Sequence, residues 1–400
     1  MPRLRRFCSR LHLWLGLLVG GYLAVMGVSG SVLVFSAEIE HALAPALHRV
    51  RPQPQRVPLD ALVGAVAARH DGARPTRLRF PKRPDGSVEV WLGGTADVIA
   101  YVDPYSGRYL GAVQGNRTPT GFLFDLHAKL LAGETGETLV GLGAVGLLLL
   151  AASGAVLWWP GRRNLRKGLT VKRGAPRRRQ LYDLHRAGGF YSLAFLVLTA
   201  GTGFALVFHE PVQAALDAVT RSPARPAPPQ VPPPAAGARP LPLQRLLDAA
   251  ERRVGAGHVT YLTLPQKPEA PFVVRRRLPD ELHPNGRTFV YVDPFTAAVL
   301  AVELAHAAPA GTRFYNLFYP LHIGDFGGLP VRLLWVLLGL APALLFATGF
   351  FIWRSRLKPP ARQSTTPAAG YRLPAAGSRS PHPPAPSPAC GRGGGAQRRG

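Results

Sequence analysis

The sequence predicts a membrane protein: a four-transmembrane-helix bundle, built from a duplicated two-helix unit, with two small external α+β domains. Three observations lead to this fold class. The chain has four long apolar stretches free of Asp, Glu, Lys and Arg, it repeats itself along its length, and short β-rich runs lie between the apolar stretches. The 400 residues are 47% hydrophobic, but the apolar residues are concentrated in these stretches rather than spread evenly.

The charge-free stretches are long enough to cross a bilayer. A transmembrane helix needs about 20 apolar residues, and four stretches of this length in one chain disfavour buried helices of a soluble protein. The charge-free stretches are 11–37, 138–161, 187–209 and 333–353, and we predict spans at 11–37, 138–160, 185–209 and 332–353. The first stretch follows four arginines, as a signal peptide would, but it is longer than the usual apolar region of about 7–15 residues. We interpret it as a retained helix.

Lysine and arginine predict the orientation. The N-terminus, 1–10, carries four arginines, the connector 161–184 is strongly basic, and basic residues follow the fourth span. Because short cytoplasmic segments are enriched in Lys and Arg, both termini and the connector are predicted to be cytoplasmic, in a bacterial inner membrane. The long segments 38–137 and 210–331 then lie in the periplasm. The segment 354–400, rich in Pro, Gly and Ser, is predicted to be a disordered cytoplasmic tail.

Charge and cysteine content narrow the function classes. A formal net charge of +26 would point to nucleic acid in a soluble protein. Much of this charge flanks the predicted spans, so nucleic acid is not an expected partner. The two cysteines, Cys8 and Cys390, both lie in segments predicted to be cytoplasmic. They allow neither a disulfide framework nor a Cys-x-x-Cys-His haem attachment.

The chain repeats a unit of helix, external domain and helix. The segment RLHLWLGLLVGGYLAVMGVSGSVLVF, from Arg10, aligns without a gap with DLHRAGGFYSLAFLVLTAGTGFALVF, from Asp183. GFLFDLHAKL parallels NLFYPLHIGD, and AYVDPYSGRYLGAV parallels VYVDPFTAAVLAVE. Both copies start on the same side of the membrane, so we expect a pseudo-two-fold axis along the membrane normal.

Each external segment is predicted to form a small α+β domain. Residues 58–70 and 242–254 have helical apolar spacing, and 222–240, rich in Pro and Ala, is a predicted linker. Eight β-rich runs are predicted strands: 76–80, 88–92, 98–102, 109–113, 259–264, 272–276, 288–292 and 299–302. Asp103-Pro104 and Asp293-Pro294 predict the turn before the last strand of each copy.

Four of the twelve histidines hold equivalent places in the repeat. His12 and His185 lie at the starts of the first and third spans, and His127 and His322 lie on the external approaches to the second and fourth. Symmetry sets each pair on facing elements at one membrane boundary. Haem iron takes two axial imidazoles, so each pair is a candidate site for one b-type haem. A single interfacial histidine more often snorkels or caps a helix, and only the symmetric pairing favours ligation.

Glycines near these histidines would clear room for a macrocycle. Gly16 and Gly189 lie one helical turn after His12 and His185. Others follow the outer pair: Gly133 and Gly136 after His127, and Gly324, Gly327 and Gly328 after His322. His41 and His209 remain alternative outer ligands or substrate contacts. The other six are predicted to be ordinary surface residues: His48, His70, His258, His283, His306 and His382.

Together these motifs resemble a known family. RLHLWLGL, the PLDAL helix, YVDPYSG, FLFDLHAKLL, SGAVLWWPGRR and DLHRAGGFYS occur in the order and at the spacing of the PepSY-associated transmembrane proteins, over about residues 3–358. That family includes iron-regulated membrane proteins and di-haem ferric-siderophore reductases. The resemblance implies four helices, two external PepSY domains and, as in the reductases, two b haems. The matching positions are His12, His127, His185 and His322.

The resemblance also bears on the source of electrons. Some family members continue into a C-terminal flavin and nicotinamide module, and no Gly-rich dinucleotide fingerprint follows Lys358 here. We therefore expect a separate electron donor, a quinol or a cytoplasmic reductase. The expected acceptor is a ferric siderophore or another ferric chelate outside the membrane, which makes the chain an oxidoreductase.

Two other functions remain open. The chain could be a non-catalytic sensor or assembly protein whose PepSY domains bind peptide, or a permease for an iron chelate. A permease is expected to have ionisable residues or broken helices at mid-membrane, and Pro342 is the one marked breaker in the four spans. The run Arg275, Arg276 and Arg277 could attract anionic chelates, although a solvated face is the simpler interpretation.

Overall fold

The computed structural model describes residues 2–94, 97–223 and 226–357. The disordered tail predicted for 354–400 is wrong for residues 354–357, which continue the last helix; residues from 358 onward, with His382 and Cys390, lie outside the described residues. The α-helices are α1 Pro2–Leu33, α2 Ser36–Leu43, α3 Pro45–His48, α4 Leu59–Ala67, α5 Pro119–Lys129, α6 Gly133–Trp158, α7 Leu165–Leu169, α8 Arg177–Val207, α9 His209–Thr220, α10 Leu243–Arg253, α11 Ala310–Ile323, α12 Gly328–Gly339 and α13 Ala341–Leu357.

Within the described residues, four helical stretches are long and apolar enough to cross a membrane. They are Arg3–Leu33, Gly133–Trp158, Arg177–Val207 and Gly328–Leu357, called the first to fourth spans below. Each predicted span is present, but the helices continue past the charge-free stretches at several ends. The helix of the third span, α8, begins at Arg177 rather than at 185, for example. Long basic side chains can extend toward water while their backbone stays helical, so absence of charge does not mark a helix end.

Two predicted spans differ from the structure: the first is shorter at its end, and the fourth is interrupted. The first helix ends at Leu33 rather than at 37, and α2 follows it after a two-residue turn. The fourth span is interrupted at Leu340, between α12 and α13. Pro342 has no backbone N–H to donate into the helix, which explains a break at this point. Ser31 Oγ of α1 donates to the Val336 carbonyl just before the break, at 3.2 Å.

The four spans close into a ring. The helix α1 packs against α6 and α13, and α8 packs against the same two helices. We call the end where α1 and α8 begin the basic end, and the opposite end, from which the chain enters the strands, the sheet end. At the sheet end Arg332 donates to Glu38 at 2.5 and 2.7 Å and lies 4.3 Å over the Phe35 ring, which ties the fourth span to α2 and to the turn before it.

The strands form one antiparallel sheet of eight. They are β1 Arg74–Arg79, β2 Val88–Gly93, β3 Val98–Val102, β4 Tyr109–Gln114, β5 His258–Thr263, β6 Phe272–Arg277, β7 Thr288–Val292 and β8 Val299–Glu303, in the order β4-β3-β2-β1-β5-β6-β7-β8. All eight lie within two residues of the predicted runs. The two halves, expected as separate domains, join through β1 and β5, where Leu78 pairs with Leu262. This pairing removes an exposed edge from each half.

The core lies between one face of the sheet and two helices. Leu62 and Val66 of α4, and Leu246 of α10, pack with Leu78 and Val274 in one buried cluster. The predicted turns are present in both halves: Asp103 accepts hydrogen bonds from Tyr105 N and Ser106 Oγ, and its counterpart Asp293 accepts from Phe295 N and Thr296 Oγ1. Both halves of the chain therefore have the same order of elements: a long membrane helix, a short helix, four strands, a helix that carries a histidine, and a further membrane helix or helix pair.

Candidate functional site

The four symmetric histidines meet in two pairs. His12 of α1 faces His185 of α8 at the basic end, with ring centroids 6.2 Å apart. His127 of α5 faces His322 of α11 at the sheet end, also with centroids 6.2 Å apart. The ring planes are inclined by 87° in the first pair and by 59° in the second. Pairing thus runs between the two halves of the chain and not within one half.

A hydroxyl group on a neighbouring span holds each histidine ring. The contacts are His12 with Ser153, His127 with Ser29, His185 with Thr348 and His322 with Thr202, each at 3.0 Å between Nδ1 and the hydroxyl oxygen. Each of these four hydroxyl residues directly precedes a glycine in the sequence. One structural unit of hydroxyl, glycine and facing histidine is therefore used four times.

The hydroxyl contacts determine the tautomer of the rings. A hydroxyl has one proton, and Ser153, Thr202 and Thr348 each donate it to a carbonyl four residues earlier in their own helix, at 2.7–2.8 Å. Their oxygens are then free to accept from the imidazoles, so the proton lies on Nδ1. The Nδ1 of His185 also lies 3.1 Å from the Leu345 carbonyl, which can only accept. We infer that Nε2 carries the free lone pair in each ring.

The glycine of each unit gives the ring its space. A Cβ added at Gly30 would lie 2.9 Å from Cε1 of His127, and one added at Gly203 would lie 3.2 Å from Cε1 of His322. At the basic end, a Cβ added at Gly154 would lie 3.1 Å from Cε1 of His12, and one added at Gly349 would lie 3.3 Å from Cε1 of His185. These glycines are on neighbouring helices. Those expected to clear room on the histidines' own helices, Gly16 and Gly189, have a leucine methyl as their nearest neighbour, at 3.8 and 3.7 Å.

The donor set fits haem better than a bare metal ion. Among the described residues there is no group of three or more His, Cys, Asp and Glu that could hold a metal. A bare ion usually needs three or four protein ligands, whereas haem iron already has four and takes two more. Metal–imidazole bonds are about 2.0–2.1 Å, so two imidazoles on opposite sides of one ion have ring centroids about 6 Å apart. Both pairs have this spacing, and in the described chain no hydrogen bond reaches any of the four Nε2 atoms.

The remaining histidines lie elsewhere. His41 and His209 are exposed, and His41 packs against His48, at 4.9 Å between centroids, instead of against the outer pair. The surface prediction is wrong for His48 and His283, which are 6% and 5% exposed. Burial, together with the charge of His41, lowers the pKa of His48. The residues missed from the sequence are the four hydroxyls; their recurrence before an aligned glycine in each copy was the available signal.

Residues 9–356 match the family described as the PepSY-associated TM region. The chain belongs to this family. The match includes the sheet, both histidine pairs and the four spans except for residues 3–8 and 357. It makes the protein a multi-pass membrane protein of PepSY-associated type. No curated protein matches the sequence.

Proposed function

We propose that this PepSY-associated protein holds two b-type haems in a bacterial inner membrane and transfers electrons across it to a ferric chelate. The proposal rests on the two histidine pairs: in each pair the ring centroids are 6.2 Å apart, and each ring is held by a hydrogen bond at Nδ1. Metal-ligating histidines characteristically donate their second N–H to a fixed partner, which orients the ring and raises its basicity. Four rings held in the same way support ligation over incidental burial.

Orientation follows from charge. The basic end carries the N-terminal arginines and the connector around α7, while the two long segments form the sheet at the other end. Under the positive-inside rule the basic end is cytoplasmic and the sheet is periplasmic. His12 and His185 then form the inner site, and His127 and His322 form the outer site. Electrons enter on the cytoplasmic side, from a quinol or a reductase, and leave on the periplasmic side.

The chain's own residues orient the ligands. When bound, haem supplies reversible one-electron chemistry. The hydroxyls of Ser29, Ser153, Thr202 and Thr348 hold the imidazole proton on Nδ1 and so keep Nε2 unprotonated. Outside the membrane, one electron converts the chelated iron(III) to iron(II), which oxygen donors bind less tightly because its charge is smaller. No acid, base or nucleophile of the chain is required.

The permease alternative has one supporting feature, the broken fourth span. However, the break packs tightly against the first span instead of facing an open path: a Cβ at Gly27 would lie 2.4 Å from the Gly339 carbonyl and 3.1 Å from Pro342. A discontinuous helix that serves transport is expected to line a cavity. The packing therefore favours the electron-transfer function. A sensor or assembly role remains the alternative if no haem is bound.

An absorption spectrum of the purified protein tests the proposal. Protein made with adequate haem should show low-spin b-type bands that shift on reduction with dithionite, and acid–acetone should extract all of the haem, since no thioether link is possible. Adding a ferric chelate to the reduced protein should restore the oxidised spectrum. A folded but colourless protein would overturn the proposal and favour the sensor. The His41→Ala variant, in an exposed residue, serves as the control and should keep the full spectrum.

A further inference from the structure

The sheet has a second face, opposite α4 and α10, with a different chemistry. Cross-strand pairing aligns one row of side chains along it: Tyr101, Glu89, Arg79, Tyr261, Arg275, Phe289 and Glu303. Their neighbours along each strand, such as Leu78 and Val274, point into the core on the other side. The row is therefore a layer of aromatic and charged groups across the junction of the two halves.

Arginines surround one tyrosine at the centre of this face. The guanidinium groups of Arg77, Arg79 and Arg275 lie 5.9, 5.9 and 5.5 Å from the centroid of the Tyr261 ring. Arg275 also lies 5.5 Å from Phe289. Such contacts hold the guanidinium planes in place without neutralising their charge. We call Arg77, Arg79, Arg275 and Tyr261 the arginine–tyrosine face.

Much of this charge has no protein counterion. Arg79 pairs with Glu89 at 3.3 Å, but within the described residues neither Arg77 nor Arg275 forms an ion pair. Arg275 uses only Nε, which donates to the Gly286 carbonyl at 2.9 Å. Its two terminal nitrogens, the pair suited to a bidentate anion, make no hydrogen bond in the described chain. The prediction that Arg275, Arg276 and Arg277 form a solvated face is wrong for Arg276, whose side chain points into the core and is 3% exposed.

The buried His283 reports the positive field nearby. Burial and the charges of Arg287, Arg275, Arg277 and Lys82 lower the pKa of His283 to about 2. A neutral imidazole surrounded by cations indicates a region that favours an anion.

The arginine–tyrosine face lies near α11, the helix that carries the outer histidine, since the charged groups of Tyr261, Arg79 and Arg275 all act on Tyr319 of that helix. Tyr319 of α11 stacks on His283, with centroids 5.1 Å apart and planes inclined by 20°. His322 lies three residues after Tyr319 on the same helix, so the two side chains are neighbours on its surface. A group bound against the arginines and Tyr319 therefore lies beside the outer histidine pair.

We propose that the arginine–tyrosine face, with Tyr319 opposite it, binds an anionic iron(III) chelate whose ligands are carboxylates or catecholates, in preference to a neutral hydroxamate chelate. This inference rests on the proposed function, since it assigns the acceptor site of that reaction. Guanidinium groups bind carboxylate and catecholate oxygens through parallel hydrogen bonds, and the tyrosine rings offer flat surfaces to the organic part of the ligand. A neutral chelate gains nothing from the unpaired charge.

Gallium(III) complexes test binding without electron transfer, because gallium(III) is not reduced under these conditions. We expect gallium citrate to bind the haem-loaded protein in detergent, as measured by calorimetry, and a neutral gallium trihydroxamate to bind at least about tenfold more weakly, as expected for the loss of charge-assisted hydrogen bonds. Binding of gallium citrate should weaken as salt is raised. Equal affinity for the two complexes, or equal affinity for citrate without gallium, would overturn the proposal.

Charge-matched variants locate the site. Arg275→Gln and Arg77→Gln should each weaken gallium citrate binding about fivefold or more, because each removes one unpaired cation. Arg252→Gln removes the same charge from an exposed position on α10, across the sheet, and should leave binding unchanged. Arg77 is itself exposed, so its variant should fold even if the Arg275 variant does not. Unchanged binding in Arg77→Gln, with haem spectrum and melting temperature preserved, would contradict the proposal.

The two proposals can fail separately. If the protein binds haem and reduces ferric citrate, but the arginine variants bind gallium citrate normally, the acceptor site is wrong and the electron-transfer function stands. If gallium citrate binds through Arg77 and Arg275 but the protein carries no haem, the anionic chelate site stands and the electron-transfer function fails.

Discussion

At the scale of single residues, four hydroxyls determine what the four histidines can do. Each accepts a hydrogen bond from Nδ1 at 3.0 Å while donating its own proton to its helix, so each ring keeps a free lone pair on Nε2. The histidines could be predicted from the repeat, because both copies carry them at aligned positions. The hydroxyls were missed, since a Ser or Thr within a membrane helix commonly bonds only to its own backbone, although each copy repeats them before an aligned glycine.

Removing a hydroxyl should loosen haem without abolishing its binding. In Thr202→Val the side chain keeps its shape but loses its hydrogen bond with His322, and loss of the partner that orients a metal-ligating histidine typically reduces metal affinity about 10–100-fold. The measurement is the rate of haem transfer to an acceptor apoprotein. Thr199→Val is the matched control, because the Thr199 hydroxyl donates to Phe195 of its own helix at 2.9 Å. Equal transfer rates in the two variants would contradict the assigned role of Thr202.

The glycines facing the histidines should tolerate no larger side chain. Gly203→Val places carbon atoms within about 3 Å of His322 Cε1, where a Cβ alone would lie at 3.2 Å, so the ring must move. We expect loss of the outer haem component from the absorption spectrum. Gly201→Val on the same helix meets no atom within 4 Å at its Cβ and should keep both components. A full spectrum in Gly203→Val would show that the ring position is not required.

At the scale of elements, the features that follow from local sequence patterns were predicted, and those that depend on packing between distant segments were not. The eight strands were predictable from runs of β-branched and aromatic residues, and burial alternates clearly along β2, β5 and β6. The helices α5 and α11 were missed as helices, since their short amphipathic sequences were considered only as approaches to the spans. The β1–β5 junction was unpredictable too, because it joins residues 74–79 to 258–263, far apart in sequence, and depends on how the two halves dock.

The crossing of the first and fourth spans depends on small residues. At Gly27 an added Cβ would lie 2.4 Å from the Gly339 carbonyl, a backbone atom that cannot swing aside. Gly27→Ala should therefore destabilise the bundle by about 1–3 kcal/mol, the usual cost of overpacking, and lower its melting temperature in detergent. Gly201→Ala, in open space, should not lower it. If both variants have the melting temperature of the wild type, the close crossing contributes little to stability.

At the scale of the whole molecule, the duplicated order of elements gives two sites of the same design at opposite ends of one bundle. Family membership establishes a multi-pass membrane protein. The basic end carries the short arginine-rich segments, and the sheet end carries the long ones. The proposed function requires that each site be ligated by one histidine from each half of the chain.

The orientation is open to a direct test. Reporter fusions after Arg173 should report the cytoplasm, and fusions near Asp85 and Lys267, in the two halves of the sheet, should report the periplasm. Activity of a periplasmic reporter at Arg173 would reverse the orientation and exchange the inner and outer sites.

The most direct test of the central claim is which single histidine variants remove the same spectral component. We predict that His12→Ala and His185→Ala each remove one haem component, and that the double variant loses no more, because two ligands of one iron act as a unit and their effects are not additive. His127→Ala and His322→Ala should both remove the other component. If His12→Ala and His127→Ala instead remove the same component, ligation lies within one half of the chain and the pairing across the two halves is contradicted.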